Sequence, residues 1–474
     1  MRHCLLAATA ATTAVAAFAV AAPPAAACTL SLLTLTCAAP DTFPQQSSAL
    51  DNLSVIVEIG ATVENTAANT PAFLLSGNSV QVSNDGTIRN PNTNNNNANN
   101  AIQGTGTGLS ISNAGLIESG DRGIHITGGT GGFSLTNGGT ITARRQAVRT
   151  DNALLLPGSF VWNSGTIESQ NDRALQLRGN GTTVYNHGTM TGGDEVIEAR
   201  DNFTLWNYGT IRVRDGVSDA DGAQFASGWV HNYGLIEGSD DGLDMDEGWV
   251  TNWGTIRSRD LPGGAGNGID IDAVFDNGVA ADLRPAGQVV IGNYGLIEGP
   301  RAIGADPTAT NYVAIYNHGT LRGTSGTAVE FAPGQFGWLG LYDAGTIEGD
   351  VRFAGGDDAI ILGSLLPGAG ITGVFDGGAG TDTVTFYYLL SDLISFKKVN
   401  DLVSLALRIE DGATFRASFR DFEFWLFSDT DALTTDALLE RFADPAPAPV
   451  PLPAGLPMLL AALGGLTLLR RRRA

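Results

Sequence analysis

Through the middle of this chain apolar and polar residues alternate in short runs that share one punctuation. It reads aliphatic residue, spacer, Asn, spacer, Gly, spacer, second aliphatic residue. The pattern is built on Asn84, Asn113, Asn137, Asn163, Asn186, Asn207, Asn232, Asn252, Asn293 and Asn317, with a further copy in which Asp343 replaces Asn. Two positions earlier stand Val82, Ile111, Leu135, Val161, Val184, Leu205, Val230, Val250, Ile291, Ile315 and Leu341. Four positions later stand Ile88, Ile117, Ile141, Ile167, Met190, Ile211, Ile236, Ile256, Ile297, Leu321 and Ile347. Strand residues alternate between faces, so each unit predicts two short strands with inward aliphatic side chains and a corner at the Asn and Gly between them. A third run follows, as in Ile124-His125-Ile126, Leu175-Gln176-Leu177, Leu243-Asp244-Met245 and Ile269-Asp270-Ile271.

Self-similarity at roughly 20 to 30 residues marks a solenoid, whose units bury their apolar faces only against their neighbours. Three strands per coil predict an all-β, right-handed parallel β-helix of triangular section over residues 76–350. Each buried aliphatic side chain contributes roughly 1.5–3 kcal/mol, so the two inward columns drive the stacking. The Asn column is expected to be structural, because stacked amides donate and accept along the axis. Two irregularities are expected to be loops or a degenerate coil: the long interval from Gly254 to Gly295, and the Asn-rich stretch 90–100.

The repeat resembles the pectin-lyase-like superfamily and, more closely, the Gly-x-Ile-rich passengers of autotransporters and related bacterial surface proteins. That resemblance implies the fold and says little about activity. The residues after Val384 hold too few strands for a membrane β-barrel, so a complete autotransporter is not expected.

Gly at 62 of 474 residues and only 16% charged residues suit short strands and tight turns rather than helices. The formal charge of -22, with lysine only at Lys397 and Lys398, argues against nucleic acid, whose phosphates need stripes of Lys or Arg.

Both ends carry addresses. Residues 1–27 read as a secretory signal, with Arg2 and His3, an apolar run from Leu5 to Ala22, and Ala25-Ala26-Ala27 for cleavage. Residues 28–75 are expected to form an N-terminal cap. In an oxidising compartment Cys28 and Cys37 are expected to pair. A lipobox at Cys28 is the weaker alternative, because Ala25 stands where a bulky aliphatic residue is usual. At the other end, a Pro-rich linker (444–455) precedes an apolar segment and the arginines 470–473 (456–474), predicting a short membrane-spanning helix with its basic tail inside. Val450-Pro451-Leu452-Pro453-Ala454, followed by that helix and basic block, resembles a VPLPA or PEP-type C-terminal sorting signal of exported proteins in Gram-negative bacteria. The resemblance implies an exosortase-like processing enzyme as partner and an outer-surface or extracellular destination, often alongside exopolysaccharide.

Three groups could carry chemistry. Trp162, Tyr185, Trp206, Tyr208, Tyr233, Trp253, Tyr294 and Tyr316 flank the Asn column and form an aromatic stripe that could stack on sugars or only on itself. Asp240, Asp241, Asp244 and Asp246 precede Asp270 and Asp272 on the third strands. Stacked carboxylates repel unless a cation bridges them or their pKa values separate, so Asp241, Asp244 and Asp270 are the candidates for acid-base work, and Asp244 and Asp270 for a metal. No Lys or Arg base of the kind lyases use is evident in those two coils. Finally, Gly377-Gly378-Ala379-Gly380-Thr381-Asp382-Thr383-Val384 resembles an RTX nonapeptide, and Gly355-Gly356-Asp357-Asp358 a partial copy, which implies a calcium-binding cap over 351–443 with Asp357, Asp358 and Asp382 as ligands. The expected function is a structural or adhesive surface protein; the alternatives are a polysaccharide lyase or hydrolase and an RTX-like calcium-binding protein.

Overall fold

A computed structural model describes residues 28–93, 98–128, 132–151, 158–259, 266–273 and 287–443. The chain divides into two compact units, one ending at Ala223 and the other starting at Gln224. Both are parallel β-solenoids with three strands per coil.

In the first unit one column of strands runs from Thr34–Cys37 through Gln81–Asn84, Ser110–Asn113, Ser134–Asn137, Phe160–Asn163 and Thr183–Asn186 to Phe203–Asn207. Pairing is parallel and keeps each motif position over its equivalent: Asn84, Asn113, Asn137, Asn163, Asn186 and Asn207 are mutual partners from coil to coil. The second column pairs Ile88, Ile117, Ile141, Ile167, Met190 and Ile211 in the same way. Both aliphatic columns are buried. The third column holds Gln103, His125, Arg149, Gln176 and Glu198 in line on its outward side.

The ladder Asn residues are buried too, and their Nδ2 groups donate from coil to coil; at the start of the ladder the Asn84 Oδ1 has no partner. Asn137 Nδ2 donates to Asn163 Oδ1 at 2.8 Å, to the Gly139 carbonyl at 3.2 Å and to the Thr166 carbonyl at 3.1 Å. Equivalent bonds join Asn84, Asn113, Asn163, Asn186 and Asn207 at 2.7–2.9 Å. The motif Gly follows from crowding at the corner: a Cβ on Gly139 would lie 2.1 Å from the Gly115 carbonyl oxygen.

Coils begin earlier than the repeat suggests. Residues expected to form a separate N-terminal cap already contain the parallel strands Thr34–Cys37 and Ser54–Val57, and the latter pairs with Gln81–Asn84. The added element is the hairpin strand Thr29–Ser31, antiparallel to Thr34–Cys37, with Cys28 and Cys37 joined as a disulfide. The Asn-rich stretch is likewise no simple loop at its ends. Asn90, Asn99 and Asn100 are buried; Asn99 Oδ1 accepts from the Asn69 amide at 2.7 Å, and Asn90 Nδ2 donates to the Thr70 carbonyl at 2.7 Å.

In the second unit the ladder runs Asn232, Asn252, Asn293, Asn317 with bonds of 2.8–2.9 Å. The long interval is therefore one coil, not two. Asn252 pairs with Asn293 directly, Thr255–Ser258 with Leu296–Gly299, and Asn267–Ile271 with Arg301–Ala305.

The copy at Asp343 does not join the ladder. Asn317 lies opposite Leu341, and Ile315 opposite Leu339, while Leu321 still faces Ile347. Two extra residues are absorbed in the corner, where Asp343 adopts φ 52° and its exposed carboxylate meets His318 Nδ1 at 2.6 Å. Beyond this point Leu341, Leu362 and Phe386 replace the amide column with an apolar one.

Coils continue through Ala359–Leu365, Thr383–Phe386 and Phe424–Leu426. An antiparallel meander, Leu393–Val399, Leu402–Arg408 and Thr414–Arg420, closes the unit, its last strand lying parallel on Val374–Asp376. Buried Trp425 meets Phe386, Phe396 and Phe419 at ring distances of 6.2, 4.9 and 5.2 Å. The helix Thr435–Phe442 follows, capped by Thr434, whose hydroxyl accepts from the Ala437 amide at 3.3 Å. Among the described residues no helix is long and apolar enough to cross a membrane. The expected spanning segment 456–474, the motif Val450 to Ala454 and the signal 1–27 all lie outside the described residues.

Candidate functional site

The aromatic stripe occupies two outward positions, just before and just after the ladder Asn, and in the first unit the two meet where Trp162 stacks on His187 at 4.7 Å. In the first unit Trp162, Tyr185 and Trp206 stack before the Asn, with ring centroids 5.4 and 6.3 Å apart. After the Asn, His187 stacks on Tyr208 at 4.7 Å. In the second unit one pile runs Tyr233, Trp253, Tyr294, His318, Tyr342 with centroids 4.7, 5.4, 4.6 and 5.0 Å apart and planes within 17°. The spacing is close to the 4.7–4.9 Å between neighbouring strands, so each ring closes the face of the next and offers solvent its edge. Two imidazoles, His187 and His318, belong to these piles and were not among the aromatic candidates. Trp229 and Trp249 form another exposed position, three residues before Asn232 and Asn252.

The third-strand face is polar. In the first unit His125 Nε2 meets Asp151 Oδ2 at 2.7 Å, and Arg149 also contacts Asp151. Burial, with the Arg122 and Arg149 charges, lowers the His125 pKa to about 4 despite Asp151. Arg122 Nε donates to Gln146 Oε1 at 2.7 Å, and Gln146 Nε2 to Asp172 at 2.5 Å. Arg173 gathers Asp194 at 2.8 Å and Glu195 and Glu198 at 2.5 Å. Burial raises the Glu195 carboxyl to about 7, with Arg173 opposing and Asp194 adding. Apart from Glu198, these groups were missed in the sequence; for His125 and Arg149 the signal was the outward middle residue of the third strand.

In the second unit Asp244 and Asp270 are direct partners on adjacent strands. Asp244 accepts from Gln224 Nε2 at 2.7 Å, and Asp270 from Asn267 Nδ2 at 2.7 Å. Asp241 accepts instead from the Asn267 amide at 2.5 Å. Burial raises Asp270 to about 6, with Asp272 adding and Arg301 opposing. Burial and Asp306 also raise Asp272, which is hydrogen-bonded to Asp244. A guanidinium comes from the following coil: Arg301 donates to Asn267 Oδ1 at 2.8 Å and pairs with Glu330 at 2.6 Å. Its guanidinium is engaged by these two partners.

In the cap, Asp358, Asp382 and Glu423 form a column of acceptors. Asp358 Oδ1 takes the Gly337 amide at 2.9 Å, Asp382 Oδ1 the Asp358 amide at 2.9 Å, and Glu423 the Asp382 amide at 2.8 Å. Asp357 accepts from the Thr381 amide at 3.0 Å. Asp358 and Asp382 are buried, and the second carboxylate oxygen of each has no hydrogen-bond partner. Burial raises Asp358 to about 6 and Asp382 to about 7.

The chain matches no protein-family model, no curated protein and no solved structure.

Proposed function

We propose that this chain is an exported structural or adhesive protein of the cell surface or extracellular matrix, held or released through its VPLPA-type tail by an exosortase-like enzyme. The observation that supports this reading best is the stacking of outward side chains from coil to coil. Rings lie on rings, and carboxylates on guanidiniums or amides, so the surface is organised along the coils rather than around one cleft. Fractionation of producing cells, with mass spectrometry of the mature C-terminus, tests the reading. A surface or matrix fraction cut near Pro453 is expected; intact protein confined to the cytoplasm would overturn it.

A second reading, a calcium-binding cap, is favoured by the unpartnered oxygens of Asp358 and Asp382. These are the residues that would hold the ion, with the Asp421 carbonyl close to Asp382 around Gly377, where a Cβ would lie 2.2 and 2.6 Å from the two oxygens. Bound there, calcium would neutralise two buried carboxylates. An unchanged melting temperature in chelator would rule it out.

A further inference from the structure

One outward column of the second unit has gaps. Immediately before the ladder Asn stand His231, Thr251, Gly292 and Tyr316, and Gly340 lies opposite Tyr316 on the next strand. At Gly340 the chain fills the gap itself: a Cβ there would lie 2.3 Å from Tyr342 Cε2, because the Tyr342 ring covers the glycine. At Gly292 no side chain among the described residues lies that close. The nearest atoms to a Cβ would be Tyr294 Cε2 at 3.6 Å and Thr251 Cγ2 at 3.9 Å, ordinary contacts.

Directly across from this gap stands Tyr316, 37% exposed. Its ring partners, Trp338 at 4.4 Å and Tyr342 at 6.3 Å, both come from the following coil. Among the described residues no ring lies against the face turned to Gly292. Thr251 and Tyr316 are two coils apart, roughly 9–10 Å at the usual strand spacing, which leaves room for one ring. Exposed Trp249 precedes Thr251 by two residues on its own strand, and exposed Trp253 follows it by two, just past the end of that strand at Asn252.

Among the described residues the lining is uncharged in a chain of formal charge -22, and burial lowers the pKa of His231 at its lower end. It combines apolar ring faces with the hydroxyls of Thr251, Tyr294 and Tyr316. That combination suits a ligand with one apolar face and a hydroxylated rim.

We propose that the Gly292 gap is a subsite for one hexopyranose unit of an uncharged glycan, its C–H face against Tyr316 and its rim toward Thr251 and Tyr294. The proposal deepens the surface reading above and rests on it only in that the chain must meet glycans outside the cell. Tyr342 over Gly340 supplies the internal precedent for a ring seated on a glycine of this column.

Calorimetry of the full chain with cellohexaose, maltohexaose and hexagalacturonate tests it. A neutral hexamer is expected to bind and the charged one not. Gly292→Ile, which fills the gap, and Tyr316→Ala, which removes the stacking face, should each weaken binding about tenfold or more, the order of one lost ring contact with its hydrogen bonds. Melting temperature should hold in Gly292→Ile, since a Cβ there makes only ordinary contacts. Undiminished binding by folded Gly292→Ile overturns the proposal. So does failure of wild type to bind either neutral hexamer, or binding of p-cresol in their place, which would assign the gap to an aromatic side chain of a protein partner. None of these outcomes touches surface retention, so failure here is distinguishable from failure of the surface reading.

Discussion

Asn113 Nδ2 donates to Asn137 Oδ1 at 2.8 Å, and the same amide reaches the carbonyls of Gly115 and Thr140 at 3.3 Å. One side chain thus ties its own corner to the next coil through three acceptors. Asn137→Ala should cost about 1–3 kcal/mol, because it strips Asn113 of an acceptor and leaves the Gly139 and Thr166 carbonyls without that donor. Asn137→Asp should cost more, since it points a buried carboxylate oxygen at those carbonyls. Urea denaturation checks the order; Asp tolerated as well as Asn would mean that the amides do not hold the coils together.

The cap should weaken as pH rises. Asp358 and Asp382 titrate near 6 and 7 in the fold against an ordinary 3.8, so the folded cap binds more protons than the unfolded chain between these values. Their contribution is fully present below about pH 4 and is lost as pH climbs through 6 to 7, a change of the order of a few kcal/mol. Melting of the second unit should therefore occur at higher temperature at about pH 5 than at pH 8, and Asp382→Asn should flatten the difference. Calcium that restores the pH 8 value would identify the ion as the proton's substitute.

Arg301 holds the Asp270 carboxyl down against burial and Asp272. Arg301→Gln should move the Asp270 titration upward, measurable by carboxyl-carbon NMR. If the acids were catalytic, Asp244→Asn and Asp270→Asn would abolish turnover of acidic polysaccharides. Absence of any turnover by wild type, with and without calcium, would remove the lyase or hydrolase reading.

Tyr342 covers Gly340, stacks on His318 and is pushed to about 12 by burial, with Tyr387 and Tyr316 adding. Tyr342→Ala should cost about 0.5–1.5 kcal/mol per lost ring pair. A variant as stable as wild type would show that the piles are incidental.

The inward columns were legible because two aliphatic positions at fixed distances from an Asn admit only one alternation of faces. The amide ladder was legible for the same reason. The slip at Asp343 was not, since Leu339 and Leu341 are both aliphatic and a local motif cannot reveal that two residues have been absorbed in a corner. The aromatic positions were visible as residues but not as piles, because side-chain direction decides which rings meet: Trp162, before its Asn, touches Tyr185 before and His187 after the next one. His187 and His318 went unnoticed because imidazole reads as chemistry rather than as a flat ring. Arg301 is 31 residues from Asp270, and only the register of the following coil brings it near.

The bond from Asn252 to Asn293 is 2.9 Å long although 41 residues separate its ends, whereas Asn232 and Asn252, 20 residues apart, are joined at 2.8 Å. The scaffold counts rungs and ignores the length of chain strung between them. This unit thus has a place where foreign sequence can be spliced without disturbing register, and a lineage of such proteins could change what it displays while keeping its frame.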